Sequence, residues 1–204
     1  MKKFLNTVLF VECMKFSLKD VEQKILDSIE VKKQVLNLSE EIYETGKTIA
    51  EALKRGNKVL VCGNGGSAAD AQHFAAELVV RFEKERKALP AIALTTDSSI
   101  ITAHSNDYDF STVFSRQVEA LGNEGDVFVG ISTSGNSENV IKAFEVAKAK
   151  RLICVGLSGK DGGKMKYLAL DHLIVVPSKV TARIQESHIM IIHIICSIVD
   201  SFFE

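Results

Sequence analysis

His73 and Glu77 stand four residues apart in a stretch whose apolar positions Ala68, Ala71, Phe74, Ala75 and Leu78 repeat at helical spacing. Asp70 falls on the same helical face, so two carboxylates and an imidazole form one polar stripe, with His73 and Glu77 about 6 Å apart. A carboxylate beside an imidazole is equipped for general acid–base work, taking a proton from a substrate and passing it on. The same spacing also suits a plain surface pair worth about 0.2–0.5 kcal/mol. A second polar set, Gln185, Glu186, His188 and His193, interrupts the apolar run toward Val199. An imidazole at His193, among isoleucines, needs a partner if it is buried, and a backbone group would satisfy it as well as a reacting group. Gln185 and His193 would lie about 12 Å apart along a helix and about 80° apart around it. They would share a small site only through extended side chains or across subunits. His104 and His172 receive no role.

Two short turns complete the candidate chemistry: Gly63-Asn64-Gly65-Gly66-Ser67, and Ser132-Thr133-Ser134-Gly135-Asn136-Ser137. Each follows an apolar run, Lys58 to Cys62 and Asp126 to Ile131, and precedes a helical pattern. Backbone N–H groups, hydroxyls and a helix N-terminus there would converge on an anion, which points to a sugar phosphate. The first turn lacks the Gly-Lys-Ser/Thr ending of a P-loop, and GxGxxG is absent. Asn106-Asp107 lies in a polar interruption, where short amides and carboxylates cap helices or meet sugar hydroxyls. Ser158 to Gly163 reads as a flexible connection.

The elements that must hold these residues follow from periodicity. Ser17 and Asp20 open a first helix with Leu18, Val21, Ile25, Ile29 and Leu36 at helical spacing, and a second runs from near Ser39 to a stop at Gly56. Strands are expected near 58–62, 91–94, 126–131, 152–157 and 172–176, with helices between. The first four show no alternation and are expected to be buried on both faces. That order gives an α/β fold: one doubly wound, five-stranded parallel sheet flanked by helices, with two helices added at the N-terminus. Ligands of such sheets lie beyond the carboxyl ends of the strands, where both turns fall. The last helix, about Thr181 to Phe203, is apolar all round, which calls for burial on every side and favours an oligomer.

With 204 residues and 46% hydrophobic composition, the chain suits one domain, residues 17–204, behind an N-terminal extension at 1–16. Its 25 basic and 26 acidic residues nearly cancel, which argues against nucleic acid or an anionic membrane as partner. Four scattered cysteines without a CxxC suit the reducing cytoplasm. Met1 to Val11 imitates a secretory leader but is interrupted by Asn6 and Thr7 and lacks a small-residue cleavage site. Ile189 to Val199 contains His193 and is too short to span a membrane.

Four stretches in this order, CGNGGSAADAQHFAAEL from Cys62, SNDYDF from Ser105, GISTSGNS from Gly130 and TARIQESHIMIIH from Thr181, resemble those of the bacterial phosphoheptose isomerases of the sugar isomerase (SIS) domain family. The resemblance covers nearly all of the chain from about Ser17. It implies an SIS-type sheet and a homotetramer. It places Asn64, Gly65, Gly66, Ser67, Asn106, Asp107, Ser132, Thr133, Ser134, Ser137, Glu77 and Gln185 at the substrate. It also makes Glu77 and His193 the catalytic pair, and His73, Glu77, Gln185 and His193 ligands of a loosely held zinc ion, since a neutral amide is a weak zinc ligand. Where relatives often read Gly-Asn-Asp, this chain has Ser105-Asn106-Asp107.

The reaction implied is conversion of sedoheptulose 7-phosphate to D-glycero-D-manno-heptose 7-phosphate, the first step toward nucleotide-activated heptose for lipopolysaccharide or capsule. A base would move a proton between C1 and C2 through an enediol. The alternative from another class is a non-enzymatic SIS adaptor associated with a replication initiator. Retention of Glu77 together with His193 favours the enzyme.

Overall fold

The structure is a computed structural model that describes residues 16–203. The leader-like run and all of the 1–16 extension except Phe16 lie outside the described residues. Ser17 and Asp20 open helix α1 (Leu18–Val35) as expected: the Ser17 N–H donates to the Asp20 carboxylate at 2.7 Å. Helix α2 (Ser39–Lys54) buries Ile42, Ile49, Ala50 and Leu53, and Gly56 beyond it takes a φ of 90°, the left-handed conformation that ends a helix.

The remaining chain alternates strands and helices: β1 (Val59–Gly63), α3 (Gly66–Val79), β2 (Ala91–Ala93), α4 (Ser98–Asp107), α5 (Val113–Leu121), β3 (Val127–Ser132), α6 (Glu138–Ala149), β4 (Ile153–Gly159), β5 (His172–Val176) and α7 (Thr181–Ser201). All strand pairings are parallel, in the order β2-β1-β3-β4-β5. The winding reverses between β1 and β3, so the carboxyl ends of these neighbours flank the crevice where doubly wound sheets bind ligands. Both candidate turns leave from those two ends. Side chains alternate across the sheet. Val59, Val61, Val129 and Ile131 join a core with α2, α3 and α7, while Leu60, Cys62 and Phe128 join another with α5 and α6.

One sequence expectation needs correction. Strand β2 is not buried on both faces: it is the sheet edge, with no strand beyond it among the described residues, and Ile92 is 39% exposed. Helix α7, expected to find part of its cover from other subunits, is only partly enclosed within the chain. Ile184, Ile191, Ile192, Ile195 and Val199 are buried, whereas Ile194 is 40% exposed. At 21 residues the whole of α7 is long and apolar enough to cross a membrane by length and composition, although the apolar run Ile189 to Val199 within it is shorter. It packs instead against α2, α3 and the sheet, with His188 and Asp200 buried in polar contacts, as the core helix of a globular fold does.

Candidate active site

The first turn connects β1 to α3. Gly65 adopts a φ of 53° with open space where a Cβ would project, so the backbone presents itself to the crevice in a conformation that glycine allows at little cost. The Ser67 and Ala68 N–H groups at the start of α3 donate back to Asn64 O and Gly65 O, each at 3.0 Å, which closes the turn. The Asn64 side chain is engaged with Asn139 of α6, each amide donating to the other at 2.9 Å. This reciprocal pair ties the first turn to the helix that follows the second. Asn139 is buried, and sequence reasoning missed it because an amide in the first turn of a helix gives no periodic signal. A cavity of about 140 Å³ opens beside the turn, lined by Asn64, Gly65, Ala68, Thr95, Ile101 and Phe110 among others.

The second turn connects β3 to α6 and folds on itself. Ser132 Oγ and Ser137 Oγ are 2.9 Å apart, and the Gly135 N–H donates to Ser132 O at 2.9 Å. Gly135 has a φ of 66°, and a Cβ there would lie 2.0 Å from Gly162 O. The Ser158 to Gly163 stretch is therefore no loose connection. Together with Lys164 and Met165 it buttresses this turn: the Lys164 N–H donates to Asn136 Oδ1 and the Met165 N–H to Gly135 O, each at 3.0 Å. Buried Ser158, paired in register with Ser132, receives a hydrogen bond on its carbonyl from His188 Nε2 at 2.9 Å. Burial pulls the His188 pKa down to about 4, the bond to Ser158 acting in the opposite direction, and its Nδ1 is buried without a partner.

The acid–base residues lie on α3 and α7, which run parallel. Near the start of both, the Gln185 amide covers Gly66, where an added Cβ would meet Nε2 at 2.1 Å. Further along, His73 Nε2 lies 2.9 Å from His193 Nε2 and 3.1 Å from Glu77 Oε1. The two imidazole centroids are 5.0 Å apart, and Phe82 stacks on His193 at 5.4 Å. A ring nitrogen carries either one hydrogen or one lone pair. His73 Nε2 therefore donates to these neighbours or accepts from His193 according to its tautomer. Either way, few protons are distributed among three close heavy atoms, which is an arrangement for moving protons. Asp70, one turn before His73, is pushed up to about 6 by burial, the neighbouring His73 acting against this.

These donors are spaced for hydrogen bonding. Two zinc ligands at about 2.0–2.1 Å from a tetrahedral ion would stand roughly 3.3 Å apart, wider than the 2.9 Å between the imidazole nitrogens. Among the described residues no group of three or more His, Cys, Asp or Glu side chains is disposed to hold a metal ion.

The structure thus brings His73, Glu77 and His193 together, and sets Gln185 over the first turn. Asn106 and Asp107, at the end of α4, are exposed and bond to each other at 2.8 Å. No hydrogen bond among the described residues joins them to either turn. The two histidines without a role prove structural: His172 bonds Glu41 and Thr48, and His104 bonds Thr112. A larger cavity, about 440 Å³, lies away from this chemistry between α1 and α7, bordered by Val21, Ile25, Ile29 and Arg183.

Comparison with known proteins gives a consistent result. The SIS domain family matches residues 24–159. The chain is 59% identical over 181 residues to a phosphoheptose isomerase of Campylobacter jejuni subsp. jejuni, covering 89% of this chain and 94% of that protein. It is 54% identical over 187 residues to the phosphoheptose isomerase of Nitratiruptor sp., covering 91% and 100%. Among solved structures, the phosphoheptose isomerase of Neisseria gonorrhoeae is similar with a TM-score of 0.84 at 47% identity, covering 90% of this chain and 98% of that one. That of Francisella tularensis gives 0.88 at 42% identity, covering 91% and 99%.

Proposed function

The chain belongs to the SIS domain family and, within it, to the phosphoheptose isomerases, and on that footing we propose that it converts sedoheptulose 7-phosphate to D-glycero-D-manno-heptose 7-phosphate. The observation that carries the chemistry is the close contact of His73 with both Glu77 and His193. The adaptor alternative is not favoured, since the relatives above are named as isomerases.

The phosphate docks at the two turns, where backbone N–H groups and the hydroxyls of Ser132, Thr133, Ser134 and Ser137 surround it. Asn64, Gly65, Gly66, Ser67, Asn106, Asp107 and Gln185 contribute to substrate binding. Glu77 takes the C1 proton of the open-chain ketose as that electron pair forms the C1–C2 double bond, and the carbonyl oxygen on C2 takes a proton from His193. The enediol collapses when Glu77 returns its proton to C2 and the C1 hydroxyl gives its proton to His193, leaving an aldehyde at C1. His73, in contact with both, relays protons between them. Zinc would supply Lewis-acid polarisation of the carbonyl when bound. The chemistry of His73, Glu77, Gln185 and His193 accommodates it, but the spacing in this structure does not, and no step above runs through it.

Further parts of the proposal rest on other observations. Leu18, Val21, Ile25 and Leu26 of α1 and Ile194 of α7 are exposed, which supports a homotetramer built on these helices. Buried free thiols at Cys62, Cys154 and Cys196 support a cytoplasmic enzyme, and the product would supply heptose for lipopolysaccharide or capsule. Incubation with sedoheptulose 7-phosphate should yield an aldose phosphate by NMR; a sugar that binds and remains a ketose would refute the assignment. Light scattering should give four chains per particle, and a stable monomer would remove the tetramer.

A further inference from the structure

Beyond the proton-sharing cluster, the C-terminal ends of α3 and α7 are joined by a buried ion pair. Asp200, in the last turn of α7, is 1% exposed. Its carboxylate accepts from Arg86 Nε at 2.7 Å and from the backbone N–H groups of Glu83 and Lys84 at 3.1 and 3.2 Å. The rest of the Arg86 guanidinium turns to α3. One terminal nitrogen donates to Leu78 O at 2.9 Å and Lys87 O at 3.1 Å, and the other to Glu77 O at 2.8 Å.

The last carbonyls of a helix have no intrahelical donor, and a cation there is also favoured by the helix dipole. Arg86 meets both needs with a rigid planar fork, which a lysine does not offer. Buried ion pairs add little net stability over apolar side chains of similar volume, because desolvation offsets the attraction. The directional content of this one lies in what it connects: the backbone of Glu77 itself, and the helix that carries His193 two turns before Asp200. His193 approaches His73 Nε2 at 2.9 Å across the helix pair, whereas the 3.1 Å His73 to Glu77 contact lies within α3, so a slip of one helix along the other by about 1 Å would open the His73 to His193 contact.

We infer that Arg86, held by Asp200, is a positioning residue for Glu77: it sets the register of α3 against α7 that brings the intrahelical Glu77 and His73 pair to His193. The kinetic part of this inference rests on the isomerase reading, and the spectroscopic part does not. Arg86→Lys keeps the charge and loses the fork, while Asp200→Asn keeps the shape and loses the charge; each is first checked by circular dichroism, and whichever folds carries the test. Turnover of sedoheptulose 7-phosphate should fall about 10- to 100-fold with KM within about threefold, the scale expected from an ångström-size misplacement. In a Glu77→Gln background the same change should cost less than about twofold more, because the group it positions is already disabled. The imidazole nitrogen NMR shifts of His73 and His193 should move in the variant, while those of His172 should not. Equal fractional losses in both backgrounds, or unmoved His73 and His193 shifts, would overturn the positioning role. A wild-type protein that fails to turn over the sugar would count against the isomerase reading alone, leaving the imidazole shifts to decide the clamp.

Discussion

The two halves of the candidate site are built in opposite ways. The anion cradle is made of two short turns with many short-range contacts, such as Ser132 paired to Ser137 five residues on and Gly65 and Gly135 with positive φ, and with Ser158 to Met165 as an outer buttress. The proton cluster is made across 120 residues, His73 of α3 meeting His193 of α7. Local turns can bind without the rest of the site being in register. Proton transfer cannot, since its reach is a few tenths of an ångström around a hydrogen bond. The difference predicts that damage to the helix pair appears in kcat and damage to the turns appears in affinity.

The largest effect expected from this contrast is at Glu77. Glu77→Gln preserves size and hydrogen-bonding reach but not basicity, so kcat should drop by about two to four orders of magnitude while sugar-phosphate affinity survives. His193→Gln should behave alike, and the double variant should lose much less than the product of the two single losses, because both groups serve one sequence of proton transfers. Loss of affinity in place of turnover would erase the division of labour. Steady-state kinetics with a binding titration decides it.

His188 tests the support behind the second turn. Its folded pKa, about 4, lies below the ordinary value of 6.5, so the unfolded chain binds the proton first. Stability should therefore be full above pH 6.5, decline as pH falls below it, and level off under about pH 4, by on the order of 3 kcal/mol at about 1.4 kcal/mol per unit. Denaturant unfolding at pH 7.5 and 5 should show this fall in wild type and a smaller one in His188→Gln. An equal pH response in both proteins would remove His188 as the cause.

Ser132 and Ser134 probe the cradle itself. The double alanine variant should weaken sugar-phosphate binding by about 1–3 kcal/mol, with kcat at saturation near wild type. Unchanged affinity would move the phosphate elsewhere. The smallest effect should come from the joint between the halves. Gly66→Ala places a methyl against the flexible end of Gln185, which can turn aside, so kcat and affinity should stay within about threefold. A loss as large as that of Glu77→Gln would make Gln185 part of the chemistry.

Much of this was legible in the sequence because the signals were local. Apolar runs marked β1, β3 and β4 as buried strands, the glycine and serine turns fell at the β1 and β3 ends, and the i, i+4 spacing put His73 beside Glu77. What stayed hidden was long-range. The edge position of β2 depends on strand order, which a three-residue run such as Ala91-Ile92-Ala93 does not encode. The parallel packing of α3 on α7 decides which polar residues meet, so the His73 to His193 contact and the Arg86 to Asp200 pair carry no spacing signal. The Asn64 to Asn139 pairing likewise arises only when β1 and β3 lie side by side, and the buttressing of the second turn by Ser158 to Met165 only when β3 and β4 do.

The claim that Glu77 carries a proton between two carbons is tested most directly by isotope exchange. Sedoheptulose 7-phosphate incubated in deuterium oxide and followed by proton NMR should lose its C1 proton signal with the wild-type protein, and the aldose formed should carry deuterium at C2. With Glu77→Gln, binding should persist while the exchange slows by about 100-fold or more. Exchange by Glu77→Gln at the wild-type rate would contradict the central role of Glu77.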